Sequence, residues 1–459
     1  MNGGPDLVIA GAGGGTVAAL AAAERGASVL LIDSDPHFLQ GNNTAMSTAM
    51  IPGAGSRFQR AADIDDSPAR LVNDIDTKTH GQADRELARA LAGISAELVE
   101  WLADYAGLPI ELVTDFDYPG HSVPRCHTVP GRTGANLLRL LHERAARDPK
   151  IDLLIPARLT GFHRQEASAD WSIEVTYPDG IVEEIVTPAL LLATSGFGAD
   201  SKLVATNLPE ISGAMYHGGA HARGDGLRLG VGAGGDTAFL DAYQGHGAVA
   251  IGANTLAGWA LVMHGGIIVN AEGHRFADET QGYSEFAALE LGQTGNSAVI
   301  IFDGRIRELC RSFEDFRQTE QAGVVKVGDT ASDLATQVGV DPQSLLTTLE
   351  GVAKIVSGDL PDSLGRTNWP HAPLTPPYAA VRVQPALFHT QGGLRVDGNA
   401  RVLGVDGNPL PGLYAAGGTA MGISGHGSAG YLAGNGLLAA LGLSYIAGRH
   451  VTRNRLTSA

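Results

Sequence analysis

The chain is poor in cysteine. Cys126 and Cys310 are the only two in 459 residues, and neither belongs to a C-x-x-C pair. That excludes a disulfide framework, a cysteine-built zinc site, an iron–sulfur cluster and a dithiol redox centre. Basic residues are also few, 32 against 49 acidic ones, for a net charge of −17. Nucleic acid and anionic membrane surfaces are therefore not expected as partners. No apolar run of about 18 residues escapes glycine or charge, so no transmembrane helix is expected. The N-terminal MNGGPDLVIAGAGGG lacks the basic stretch of a signal peptide and reads as a strand, which points to a cytoplasmic protein. Glycine, by contrast, is abundant: 62 residues, roughly twice its usual share. With 44% hydrophobic residues the chain is neither disordered nor collagen-like. The surplus glycine belongs in ordered turns, or where backbone comes close to a ligand.

Residues 6–33 form one unit: an apolar strand over 7–10, a glycine turn, an alanine-rich helix, and a strand over 28–32 closing on Asp33. Gly11 and Gly13 make a G-x-G, and Asp33 stands 22 positions after Gly11. Such glycines let backbone approach a pyrophosphate whose charge the helix N-terminus stabilises, while the acidic side chain accepts from a ribose hydroxyl. The third place of the motif holds Thr16. An amphipathic helix over 84–106 starts at Asp84 and stops before Gly107 and Pro109. A second covers roughly 135–147, short strands follow over 152–187, and a buried run 189–194 leads into the turn Ser195-Gly196-Phe197-Gly198. The segment GVGAGGD at 230–236 mimics a phosphate loop but follows a helix, and so reads as its C-cap. A middle region has helices of its own, one marked by Asp341 as N-cap and Pro342 after it. It leaves through Pro370, Pro373, Pro376 and Pro377. An inserted domain over 243–385 is the economical reading, with 1–242 and 386–459 forming the outer domain.

These residues resemble the fumarate reductase/succinate dehydrogenase flavoprotein superfamily, which includes 3-ketosteroid dehydrogenases and tricarballylate dehydrogenases. The likeness rests on GAGGGTVAALAAAERGASVLLID, GNNTAMSTAMIPGAG, GHSVPRCH, LLLATSGFG, IIVNAEGHRFADE, TPPYAA, FHTQGGLRVD and PGLYAAGG in this order. It implies an α/β fold: a Rossmann-like, glutathione-reductase-type FAD-binding domain with an inserted α+β capping domain. Covalent members carry a histidine where this chain has Asn43, so the resemblance implies noncovalent FAD. Carried over residue by residue, Asp33 holds the adenosine ribose. The positions Gly11, Ala12, Gly13, Gly14 and Gly15, then Asn42, Asn43, Thr44, Ser47 and Thr48, contact phosphates, ribityl chain or flavin, as do Thr194, Gly196, Asp225 and Leu437. Gly418 stands where many relatives have a glutamate.

In that superfamily the flavin exchanges a hydride with a carbon β to a carbonyl, while a protein group moves the α proton and donors polarise the carbonyl. Fumarate reductases use an arginine for the proton, just after N-x-x-G-x-R-F-x-x-E. Here that segment runs from Asn270 to Glu279, and the arginine's place falls on Tyr283. Ketosteroid dehydrogenases carry a tyrosine there and pair it with a second, which Tyr118 matches. Their third tyrosine aligns near Ser428, whereas the dicarboxylate reductases' binding arginine aligns with Tyr431. Neither residue clamps a carboxylate as a guanidinium does. His389 neighbours the place of a substrate histidine, which Phe388 occupies; His246 aligns loosely with another. His217 and His221 lie in a glycine-rich, nonhelical setting, so no metal site is expected. The resemblance thus implies a small-molecule carbonyl substrate, neutral or weakly charged and cyclic or steroid-like, with an electron partner left unnamed. One alternative is a tricarballylate- or polycarboxylate-type dehydrogenase, in which Arg125, Arg132 and Arg382 supply the clamps. Another is a flavin-bearing electron carrier without turnover.

Overall fold

The computed structural model describes residues 4–456 apart from residues 117, 167, 169 and 371, so the first three residues of the N-terminal segment lie outside the described residues. The chain divides into two compact units. The first comprises Met1–Leu208, Gly218–Tyr243 and His389–Ala459, the second Pro209–His217 and Gln244–Phe388.

The first unit is the expected Rossmann-like α/β body. Its main sheet runs Arg401–Leu403, Pro409–Ala415, Leu190–Leu192, Leu7–Ala10, Val29–Ile32 and Ile151–Leu154. All pairings are parallel except that of the edge strand Arg401–Leu403. Its central strands are continuous apolar runs, as a sheet covered on both faces requires. Half of the helix Gly15–Glu24 is alanine, which lets it lie close against the C-terminal helix Asn435–Leu456. A Cβ on Gly448 would sit 2.5 Å from the Ala18 carbonyl oxygen, and one on Gly14 2.9 Å from that of Ala440. A longer helix, Arg85–Asp104, is N-capped by Asp84, whose carboxylate accepts from Leu87 N–H. The strands Arg158–Arg164, Trp171–Thr176 and Val182–Thr187 form a separate antiparallel sheet in this unit.

The second unit is built on the 13-residue strand Tyr378–Thr390, of which His389 and Thr390 already belong to the first. This strand pairs with Ala298–Asp303, Lys326–Gly328, Tyr243–Ala250 and Met215–Tyr216. Helices Ala331–Val338 and Pro342–Val356 carry Thr330 and Asp341 as N-caps. Met215–Tyr216 pairs in parallel with Ala386–Leu387, and this brings Pro209–His217 into the second unit. Among the described residues no helix is long and apolar enough to cross a membrane.

Candidate active site

In the first unit the dinucleotide turn is shaped by contacts that allow no side chain. Gly11 has φ +115°, and a Cβ there would lie 2.1 Å from the Ala193 carbonyl oxygen. Thr16, at the third motif place, is buried and donates its hydroxyl to the Ala12 carbonyl at 2.6 Å, tying the helix back to the turn. Asp33 is aimed at the same turn. Its carboxylate accepts from Ala12 N–H at 2.7 Å and Asp35 N–H at 2.9 Å, while burial raises its pKa. Beyond Gly13 lie Asn42 and Thr44. A Cβ on Gly13 would stand 3.0 Å from Thr44 Oγ1 and 3.4 Å from Asn42 Nδ2. Asn42 Oδ1 accepts from Ala45 N–H, but its Nδ2 is buried with no partner among the described residues. Such an orphan donor beside a glycine turn fits an anionic, oxygen-rich ligand, as the pyrophosphate of FAD is.

The neighbouring segments are equally close. Asn43 bridges two loops: Oδ1 accepts from Gly219 N–H at 2.6 Å and Nδ2 donates to Ser195 Oγ at 3.1 Å. Ser47 Oγ donates to the Thr44 carbonyl, and Thr48 is exposed. Thr194 Oγ1 accepts from Gly226 N–H, and Thr419 Oγ1 donates to the Ser195 carbonyl. A Cβ on Gly196 would fall 1.9 Å from Thr390 Oγ1, and one on Gly418 2.6 Å from Gly196 N. There is no room at 418 for the glutamate of relatives. Leu437 is buried at the start of the last helix, in the same unit as the glycine turn. The Asp225 carboxylate is taken by Arg158 and Arg228, each at 2.7 Å.

The glycine-rich segment before the last helix gathers a polar cluster, also within the first unit. Gln391 Nε2 donates to His389 Nδ1 at 3.0 Å, Ser424 Oγ donates to Gln391 Oε1 at 3.2 Å, and Asn435 Nδ2 reaches Ser424 Oγ at 3.4 Å. Burial lowers His389 to about 4, so the ring is neutral. Tyr431 meets it edge-on at 5.8 Å between centroids. Burial raises the Tyr431 phenol, although the Gly436 and Gly434 amides partly offset this. Ser428 is half-buried, and its carbonyl accepts from Tyr431 N–H. Tyr118 packs on Met50, Val113 and Cys126 and meets Phe116 edge-on, and burial raises it too. Burial thus keeps the Tyr118 and Tyr431 phenols protonated at neutral pH.

The second unit carries its own cluster. Tyr283 opens the helix Tyr283–Leu291 after Gly282, whose φ is +139°. Its ring stacks on His246 at 4.7 Å, and His246 also stacks on Phe388 at 5.1 Å. Phe388 in turn stacks, tilted, on His217, while Trp259 meets His246 and Tyr283 edge-on. Ala248 N–H donates to His246 Nδ1 at 3.1 Å. A backbone amide only donates, so Nδ1 is bare and the neutral ring carries its proton on Nε2. Burial lowers this histidine to about 3.

Several guanidiniums are held by acidic partners. Arg275 pairs with Glu279 and Asp362, Arg366 with Glu279, and both lie over Trp369. Arg125, with no exposed side-chain surface, is locked between Asp66 and Asp74. Arg132 pairs with Asp115, and Arg382 is exposed. His426 pairs with Asp241 at the surface. Among the described residues no group of His, Cys, Asp and Glu could hold a metal ion. Sequence reasoning missed Trp259, Gln391, Ser424 and Asn435. Gln391 lay inside FHTQGG, but only the fold brings it to Ser424.

Three comparisons bear on this arrangement. A family model described as FAD binding domain matches residues 6–437. The chain is 29% identical over 451 residues to a fumarate reductase (cytochrome) of Shewanella frigidimarina, spanning 98% of this chain and 77% of that one. The open conformation of a flavocytochrome c3 fumarate reductase superposes with a TM-score of 0.81 at 26% identity, over 99% of this chain and 79% of that one. The 3-ketosteroid-delta4-(5alpha)-dehydrogenase of Rhodococcus jostii RHA1 gives a TM-score of 0.76 at 25% identity, over 98% and 97%.

Proposed function

The chain belongs to the FAD-binding flavoprotein family, its cofactor is FAD, and on that premise we propose that it adds or removes hydrogen across a carbon–carbon bond next to a carbonyl, in a neutral or weakly charged, ring-containing substrate. Gly11–Gly15, Asp33 and the Asn42–Thr44 segment hold the dinucleotide, noncovalently because Asn43 offers no nucleophilic ring nitrogen. Bound FAD supplies the hydride acceptor or donor. In the reducing direction the substrate's β carbon gains a hydride and its α carbon a proton from Tyr283 Oη; oxidation returns both. His246 donates its Nε2–H to the carbonyl oxygen as that oxygen becomes enolate-like, the kind of aligned donor worth ~10²–10³ in rate.

The observation that carries this reading is the aromatic column Tyr283–His246–Phe388. It presents flat rings and two neutral donors, the Tyr283 hydroxyl and His246 Nε2–H, where a dicarboxylate would need guanidiniums. The arginines considered as carboxylate clamps support the same choice, since Arg125 and Arg132 are already paired and Arg382 is exposed. A Tyr283→Phe variant tests the proton assignment. It keeps the stack and loses the hydroxyl, so FAD content stays normal while substrate-dependent flavin turnover falls at least ~10²-fold, the usual worth of a general acid or base. Turnover equal to the wild type refutes the role of Tyr283.

A further inference from the structure

The polar chain behind His389 has no part in the chemistry described above, yet it is buried throughout. Gln391 is 4% exposed, Ser424 1% and Asn435 0%. Glycines wall it closely. A Cβ on Gly422 would lie 2.9 Å from Gln391 Oε1, and one on Gly436 3.0 Å from His389 Nε2. Four side chains are thus held in one file, and one end of that file is a histidine whose Nε2 has no hydrogen-bond partner among the described residues.

Such a file has two self-consistent senses. In the first, Asn435 N–H donates to Ser424 Oγ, Ser424 O–H to Gln391 Oε1, and Gln391 N–H to His389 Nδ1. His389 then carries its proton on Nε2. In the second every bond is reversed, Nδ1 carries the proton and Nε2 is a bare acceptor. The two differ in what is left over at the far end. The first sense leaves Asn435 Oδ1 buried without a partner; the second leaves its NH2 group so. Buried orphan N–H groups are rarer and costlier than under-satisfied carbonyl oxygens, which selects the first sense.

We propose that Gln391 is a positioning residue: set by Ser424 and Asn435, it holds His389 as the Nε2–H tautomer, a donor for a carbonyl-type oxygen that gains negative charge in the redox step. That oxygen belongs to the substrate or to the flavin ring, and the two sources share the same chemistry. Its assignment rests on the proposed carbonyl reaction, whereas the tautomer does not.

The test uses the FAD-loaded protein with ¹⁵N-labelled histidine, the His389 signals being identified by their loss in His389→Asn. At neutral pH the wild type shows Nδ1 bare and Nε2 protonated. In Gln391→Glu the carboxylate only accepts, so Nδ1 becomes protonated and the wild-type tautomer is lost. In Gln391→Met the preference for one tautomer disappears. Turnover in Gln391→Glu falls ~10–100-fold, as when the partner that orients a functional histidine is removed. An unchanged flavin midpoint potential with lowered turnover assigns the oxygen to the substrate; a shifted potential in the substrate-free enzyme assigns it to the flavin. A wild-type His389 protonated on Nδ1 overturns the proposal, even if neither variant folds. So does an unaltered tautomer in Gln391→Glu. Correct tautomers with no turnover on any carbonyl compound leave Gln391 in place and refute the proposed function instead.

Discussion

Ala248 N–H decides the chemistry of His246. By donating to Nδ1 it leaves one possible proton position on the neutral ring, which stacks on both Tyr283 and Phe388. Nε2–H is then the one N–H donor of the ring. The consequence is testable at this one side chain. His246→Phe keeps an aromatic ring in the column and removes the donor, so kcat falls by ~10²–10³ while FAD content is unchanged. Turnover at the wild-type rate would show that another group polarises the carbonyl. The residues of this column were singled out in the sequence, since Tyr283, His246 and Phe388 each stand at or near a place where the resemblance implies a functional residue. Their stacking was not, because it depends on a strand, a helix start and a second strand brought together from 37 to 142 positions apart in the chain.

Among the elements, those with local signals were legible. Asp84 and Asp341 marked their helices through short-range capping bonds, and the strand–turn–helix–strand–Asp unit at 6–33 is read within 28 residues. Strand Tyr378–Thr390 was hidden for a physical reason. Pro385 lies inside it, and proline in a central strand normally argues against the assignment. Here the missing N–H falls between partners: Val383 is the last residue on Ala298–Asp303, and Ala386 the first on Met215–Tyr216. The same pairing explains why Pro209–His217 gave no sign of joining the second unit. The contact of Gly15–Glu24 with Asn435–Leu456 supplies the prediction at this scale. Gly448→Val drives methyl groups into the Ala18 carbonyl, and such overpacking costs ~1–3 kcal/mol. A lowered denaturant midpoint with weaker FAD retention is expected; an unchanged midpoint would mean that the helices slide apart freely.

Across the whole molecule, the sparse cations and abundant glycine acquire locations. Glycine lines the dinucleotide turn, the 417–436 segment and the contact between two helices, and at Gly11, Gly418, Gly430, Gly436 and Gly448 backbone or ring atoms leave no space for Cβ. Many of the few arginines are spent on acidic partners. Burial leaves a further mark in His246, lowered to about 3, and in His121, His127 and His389, each lowered to about 4. Each is neutral when folded but binds a proton when unfolded below the ordinary histidine value of about 6.5. The unfolded state then holds more protons, so stability falls with falling pH. Each group contributes a slope of ~1.4 kcal/mol per pH unit from pH 6.5 down to its own folded value. Denaturant midpoints measured between pH 7 and pH 4 should therefore drop steeply below pH 6.5; a flat profile would mean these rings gain protons without unfolding.

Anaerobic titration of the FAD-loaded enzyme, followed by flavin absorbance, decides the substrate class. Saturated cyclic ketones should bleach the oxidised flavin, or cyclic enones reoxidise the reduced one, while succinate, fumarate and tricarballylate leave both unchanged. Rapid exchange with a di- or tricarboxylate and none with any cyclic ketone or enone would contradict the neutral, ring-containing substrate.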